Sequence, residues 1–115
     1  MNIDGVGKDA TTISNEQGAK ESFIPYRFDL VDPTALFALA NILAVGSAKY
    51  GEFNWRGLTV NSNLNHALTH IYAHLAGDTQ DDHLGHAFCR LMFAFSKANN
   101  SDPLGLMTPP PHVKA

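Results

Sequence analysis

The stretch NSNLNHALTHIYAHLAG (Asn61–Gly77), followed after three residues by DDHLGHAFCRLMFAFSKAN (Asp81–Asn99), decides how this chain folds. Leu64, Leu68, Ile71 and Leu75 recur at i, i+4, i+7 and i+11, and Leu84, Phe88, Leu91 and Phe95 repeat that spacing. This is the period of an α-helix and not the two-residue alternation of a strand. The connection is so short that the two helices must be antiparallel neighbours, and their matched apolar stripes are expected to face each other. Asn61 or Ser62 is the expected N-cap of the first helix, and Gly77 its stop. Asp81 and Asp82 suit the positive end of the second.

Upstream, VDPTALFALANILAVGSAKYG reads as one more helix. Asp32 is a good N-cap, Pro33 a good first helical residue, and Gly51 a stop after about Tyr50. Gly46 weakens it by up to ~1 kcal/mol relative to alanine. The fold class expected is all-α, a helical hairpin plus one further helix, as a single domain over residues 25–98. Residues 1–24 lack periodicity and read as a flexible arm. Residues 99–115, with TPPPH, read as a proline-rich flexible tail.

Three helices make a thin core. Met92 and Phe93 fall outside the main stripe of their helix, so that helix is apolar on more than one side. A homodimer or higher oligomer of four-helix type is therefore expected. The alternative is an N-terminal arm folded back over the second face.

The 115 residues carry a net charge of −3, with 44% apolar and 17% charged residues. That is ordinary for a globular domain. No basic excess suits stable nucleic-acid binding, and no polybasic block suits an anionic membrane. The apolar run ALFALANILAV is too short to span a bilayer, and MNIDGVGKDATTIS does not read as a secretory signal. The single cysteine, Cys89, excludes an internal disulfide and a multi-cysteine zinc site. A reducing cytoplasm is the expected setting.

The polar side of the hairpin carries the chemistry. His66, His70 and His74 follow each other at i, i+4 and i+8, with Asn63 joining them. His83, His86, Arg90 and Lys97 form a comparable row on the next helix, and Asp78, Asp81 and Asp82 sit at the turn. The tight corner should bring His70 and His74 near His83 and His86, with the aspartates among them, in a pocket facing Trp55. Imidazole and carboxylate in that arrangement suit a divalent metal, and carboxylates with water suit Mg²⁺ or Mn²⁺. Each histidine read singly is also an ordinary surface residue, and each aspartate an ordinary helix cap.

KYGEFNWRGL (Lys49–Leu58) joins the first two helices. Tyr50, Phe53 and Trp55 offer flat faces for stacking on a base. Lys49 and Arg56 offer phosphate contacts, and Asn54 both donor and acceptor. The other reading makes Phe53 and Trp55 the plug of a small core.

RFDLVDPTALFALANILAVGSAKYGEFNWRGL, followed by NHALTHIYAHLAGDTQDDHLGHAFCRLMFA, resembles the phage-type dATP/dGTP diphosphohydrolase N-terminal domain family, akin to MazG-like nucleotide pyrophosphohydrolases. The resemblance rests on Arg27–Leu30 with Pro33, on the KYG..NW loop at Lys49–Trp55, and on the hairpin from His70 to Cys89. It implies a phage-encoded helical oligomer in the host cytoplasm. The implied reaction is hydrolysis of purine deoxynucleoside triphosphates to monophosphate and pyrophosphate with Mg²⁺ or Mn²⁺. His70, Asp82 and His86 are then the catalytic candidates, and His70, His74, Asp78, Asp81, Asp82 and His86 the metal candidates. Lys49, Tyr50, Asn54, Trp55, Arg56 and Arg90 are the candidates for binding substrate. The chain lacks the E-x-x-E and E-x-x-D pairs of MazG-like enzymes, which suits the alternative of a non-catalytic nucleotide-binding or protein-interaction module.

Overall fold

The computed structural model describes residues 3–99. The chain divides into two compact units at Asp32/Pro33. The first holds an antiparallel pair of short strands, β1 (Thr12–Ser14) and β2 (Lys20–Ser22), with Ile13 opposite Glu21. Asn15 closes their turn, its side-chain oxygen accepting the Gln17 and Ala19 backbone N–H groups at 2.9 and 3.0 Å, while Gly18 takes φ +81°. An Asx turn with a left-handed glycine is a standard local solution for such a reversal. The chain is mostly helical as expected, and this ladder adds a small two-stranded sheet that the all-α expectation lacks. Both strands are exposed on both faces, so no apolar alternation marks them in the sequence. Arg27 forks onto Asp29 through bonds of 2.9 and 2.8 Å. Beyond Asn99, the tail expected over 99–115 lies outside the described residues.

The second unit contains α1 (Pro33–Tyr50), α2 (Val60–Leu75) and α3 (His83–Ala98). α1 runs between the expected signals, and Gly51 takes φ +94° just past its end. α2 starts earlier than expected. Its cap is Thr59, whose hydroxyl oxygen accepts the Ser62 N–H at 3.0 Å, and neither Asn61 nor Ser62 plays that part. α3 opens one residue after Asp82, whose carboxylate accepts the Gly85 N–H at 3.1 Å. A Cβ on Gly85 would fall on that carboxylate and come within 2.8 Å of Ile42 Cδ1, so the bare backbone lets α1 approach.

α3 is the central helix, packed against α2 on one side and α1 on another. Leu39, Cys89 and Phe93 form the core, with Ile42, Leu43, Met92 and Trp55 closing over it. Trp55 stacks flat on Phe93, ring centres 4.5 Å apart and planes within 5°. Trp55 therefore serves as the plug of the core.

The expected facing of the leucine stripes is overturned. The α2–α3 seam is built from small and polar residues: Asn63, Ala67, Ala87 and Ala94 are all buried. Leu64, Leu68 and Leu75 on α2 and Leu84, Phe88, Leu91 and Phe95 on α3 are instead exposed. Alanines let the two backbones approach closely, and Asn63, His70, His83 and Arg90 beside them come partly or wholly under cover, while His66, His74 and Lys97 stay exposed. At about 100° per residue, each apolar row lies roughly 100° round its helix from the seam. In an antiparallel pair, equal rotations in chain order bring both rows to one side of the hairpin. Phe93 and Cys89 lie on the other side, under α1. Phe93 is thus a core residue, and its place outside the stripe does not reflect a second exposed face. Among the described residues, no helix is long and apolar enough to cross a membrane.

Candidate functional site

The corner between α2 and α3 gathers three histidines and two aspartates. His70 reaches across the seam from α2, and its Nδ1 lies 2.9 Å from His83 Nδ1. The other ring nitrogen of His83, Nε2, lies 2.5 Å from Asp78 Oδ2. A carboxylate only accepts, so His83 Nε2 carries the proton, and in the neutral ring Nδ1 is left with its lone pair. His70 Nδ1–H must then donate to it. His86 stacks on His70 at 5.2 Å with planes 20° apart, and its Nε2 lies 3.3 Å from Asp81 Oδ1.

One ligand atom from each of His70, Asp81 and His83 lies within 4.8 Å of the others. The set passes a chemical test for a cation. His83 has its outer nitrogen held by a carboxylate, which fixes the tautomer and raises the basicity of the inner one. His83 is also nearly buried, its side chain 10% exposed, so its direction is set by packing. Two imidazoles and one carboxylate favour Mn²⁺ or another transition ion over Mg²⁺, which takes oxygen ligands.

Of the metal candidates read from the sequence, His70, Asp78 and Asp81 come together here, with His86 beside them. Asp78 reaches the cluster through His83. His74 lies exposed in the last turn of α2, and Asp82 is the cap of α3. His83, expected beside His70 but not among the metal candidates, joins them. Its signal was position: it is the first residue of α3, the histidine nearest the turn.

The residues read as substrate contacts are spread more widely. Lys49 and Tyr50 end α1, both exposed, with the ammonium 4.9 Å from the phenol ring. Asn54, Trp55 and Arg56 form a 3-10 turn (Asn54–Gly57) entered through Phe53, a non-glycine residue at φ +59°. Phe93 covers one indole face, and the Arg56 guanidinium lies 5.1 Å from the ring. Lys97 Nζ donates to the Arg56 carbonyl at 2.6 Å, tying α3 to this turn. Arg90 donates to Asn63 Oδ1 at 3.1 Å, and Asn63, fully buried, donates to the Thr59 carbonyl at 3.1 Å. Phe93, on which Trp55 stacks, lies seven residues beyond His86, roughly 10 Å along α3. The expected corner pocket facing Trp55 is thus replaced by a cluster at the start of α3 and a separate aromatic plug further along it.

Burial, then the charges of His86 and His83, push the His70 imidazole below its ordinary value of 6.5. The bond from His83, then that from the Gln80 backbone, holds the Asp78 carboxyl below 3.8. Between His70's folded value and 6.5 the unfolded chain binds more protons, so stability should fall as pH drops below 6.5 and level off below the folded value. The contribution of Asp78 is present above 3.8 and is lost as pH falls through its own folded value. Melting temperatures measured in EDTA should show both declines, and His70→Gln should remove the first.

A model of the family described as "dATP/dGTP diphosphohydrolase, N-terminal" matches residues 15–104. A protein of Salmonella phage PMBT28 named dATP/dGTP diphosphohydrolase is 36% identical over 76 residues, which is 62% of this chain and 26% of that protein. The match thus spans about a quarter of that relative's length. No solved structure matches the chain.

Proposed function

Because this chain belongs to the dATP/dGTP diphosphohydrolase N-terminal domain family, we propose that it hydrolyses purine deoxynucleoside triphosphates to monophosphate and pyrophosphate with a divalent cation held by His70, Asp81 and His83. The observation that carries the reading is His83, its outer nitrogen on Asp78 and its inner nitrogen turned toward His70. That arrangement supports a ligand role better than it supports a surface histidine.

A cation bound there supplies charge neutralisation for phosphate oxygens and a more acidic water. The chain's own side chains do the rest. Asp78 fixes the ring of His83. The capping bond of Asp82 fixes the start of α3, and with it the direction of His83 and His86. In this reading His86, its Nε2 lying 3.3 Å from Asp81, takes a proton from water through its other ring nitrogen as the α–β phosphoanhydride bond breaks. The water oxygen joins one phosphorus, and the bridging oxygen leaves with the pyrophosphate. Lys49 and Arg56 are the cations for the phosphate chain.

Purified protein incubated with each deoxynucleoside triphosphate should release pyrophosphate from dATP and dGTP with Mn²⁺ present and none in EDTA. No pyrophosphate from any of the four, with Mn²⁺ or Mg²⁺, would leave the second reading, a non-catalytic nucleotide-binding or interaction module. The absence of glutamate from α2 and α3 favours that second reading. It predicts thermal stabilisation by nucleotide without turnover.

A further inference from the structure

Within the described part of the helical unit, one side of the hairpin is covered. α1 and Trp55 close over Phe93 and Cys89, while the other side presents the two apolar rows. Leu64 is 38% exposed and Leu75 71% on α2, and Phe88 is 41% and Phe95 70% on α3. Tyr72, 65% exposed, borders the α2 row. With ordinary side-chain areas, these rows leave about 800 Å² of mostly apolar surface uncovered, above the few hundred Å² of a typical monomer's largest patch.

We propose that this face binds a second copy of the chain, so that two α2–α3 hairpins pack face to face as a two-fold symmetric four-helix bundle. Three observations choose that occupant. The uncovered area is about what each partner contributes to a stable dimer, near 800 Å². Neither row carries a charged residue, so nothing on it would select a partner of opposite charge. Arg90 and Lys97 lie on the other side of α3, where one bonds Asn63 and the other the Arg56 carbonyl. A membrane-surface helix would instead flank its apolar face with cations. The two rows share one spacing and run antiparallel, so a two-fold axis sets each apolar row against an apolar row of the other copy.

The pairing leaves the His70–Asp81–His83 cluster open. His70 and His86 lean from the seam toward the side that α1 covers, away from the apolar rows. The proposal rests on the packing of α2 and α3 alone and stands apart from the hydrolase reading.

Sedimentation equilibrium of the full chain should give twice the chain mass of 12.5 kDa. A double Leu68→Lys, Leu91→Lys variant should weaken association roughly a hundredfold or more, because its charges would be buried without partners, while keeping its helical circular dichroism. Val45→Lys, on an exposed position of α1, should leave association unchanged. The wild type supplies a readout that needs no variant. In a mixture of isotope-labelled and unlabelled chains, intermolecular NOEs should join methyls of Leu64, Leu68, Leu84 and Leu91. A monomer at 0.1 mM overturns the proposal, whether the N-terminal segment covers the face or the face binds lipid vesicles. So does a dimer whose NOEs come from α1, or one that the lysine pair leaves intact.

Discussion

Asp78→Asn should bind Mn²⁺ about 10- to 100-fold more weakly than the wild type, with a matching loss of pyrophosphate release. Asparagine keeps an oxygen that can accept from His83 Nε2–H, so the ring stays in place. The charge is gone, however, and with it the push that makes the inner nitrogen a strong donor. Asp78→Ala removes both and should fall further. His83→Ala removes the ligand atom itself and should do at least as much damage as either. Mn²⁺ titration followed by electron paramagnetic resonance reads the affinity directly, and the far-ultraviolet spectrum confirms that the helices persist. If both Asp78 variants bind Mn²⁺ like the wild type, the carboxylate does not support the site.

The second large effect is on stability. Phe93→Ala should cost about 3–5 kcal/mol in urea unfolding. Phe93 is nearly buried, bears the indole of Trp55 on one face, and meets Leu39 in the core. Removing it opens a cavity and leaves the tryptophan without its platform. For a domain of this size each kilocalorie moves the melting point by roughly 4–8 °C, so the variant should melt well over ten degrees lower. Phe37, 78% exposed on α1, is the control, and Phe37→Ala should stay within ~0.5 kcal/mol.

The bounds of α1 were legible because they are written in local chemistry. Pro33 cannot sit far inside a helix, and Gly51 takes a left-handed turn at little cost. The start of α2 was not. Thr59, Asn61 and Ser62 crowd into four positions and all cap well, and periodicity cannot choose among neighbours. The largest misreading concerned direction. Spacing alone puts the leucine rows in the interior, yet burial of apolar residues is a tendency that leaves much of any surface apolar. The informative residues were Ala67, Ala87 and Ala94, whose small size marks where backbones meet. Once they face inward, Asn63 and His70 on α2 and His83 on α3 are drawn toward the seam, while His66 and His74 remain exposed. The crowding of imidazoles and carboxylates at the corner follows from the shortness of the turn, and Asp78 sits among them. His83 is expected beside His70 but is not among the metal candidates, because its part rests on the bond from its outer nitrogen to Asp78, which spacing within one helix does not reveal. Phe53 was another surprise, since nothing in the order of residues announces an aromatic at positive φ.

Cys89 sits under α1 with 4% of its surface exposed, and burial pushes its thiol above the ordinary value of 9.0. A neutral, covered sulfur reacts slowly with alkylating reagents. It is also the only sulfhydryl in the chain, so each molecule records one event. The rate at which iodoacetamide marks it becomes a clock for how often α1 lifts from α3, and a ligand that holds the folded state closed would slow that clock without touching the sulfur.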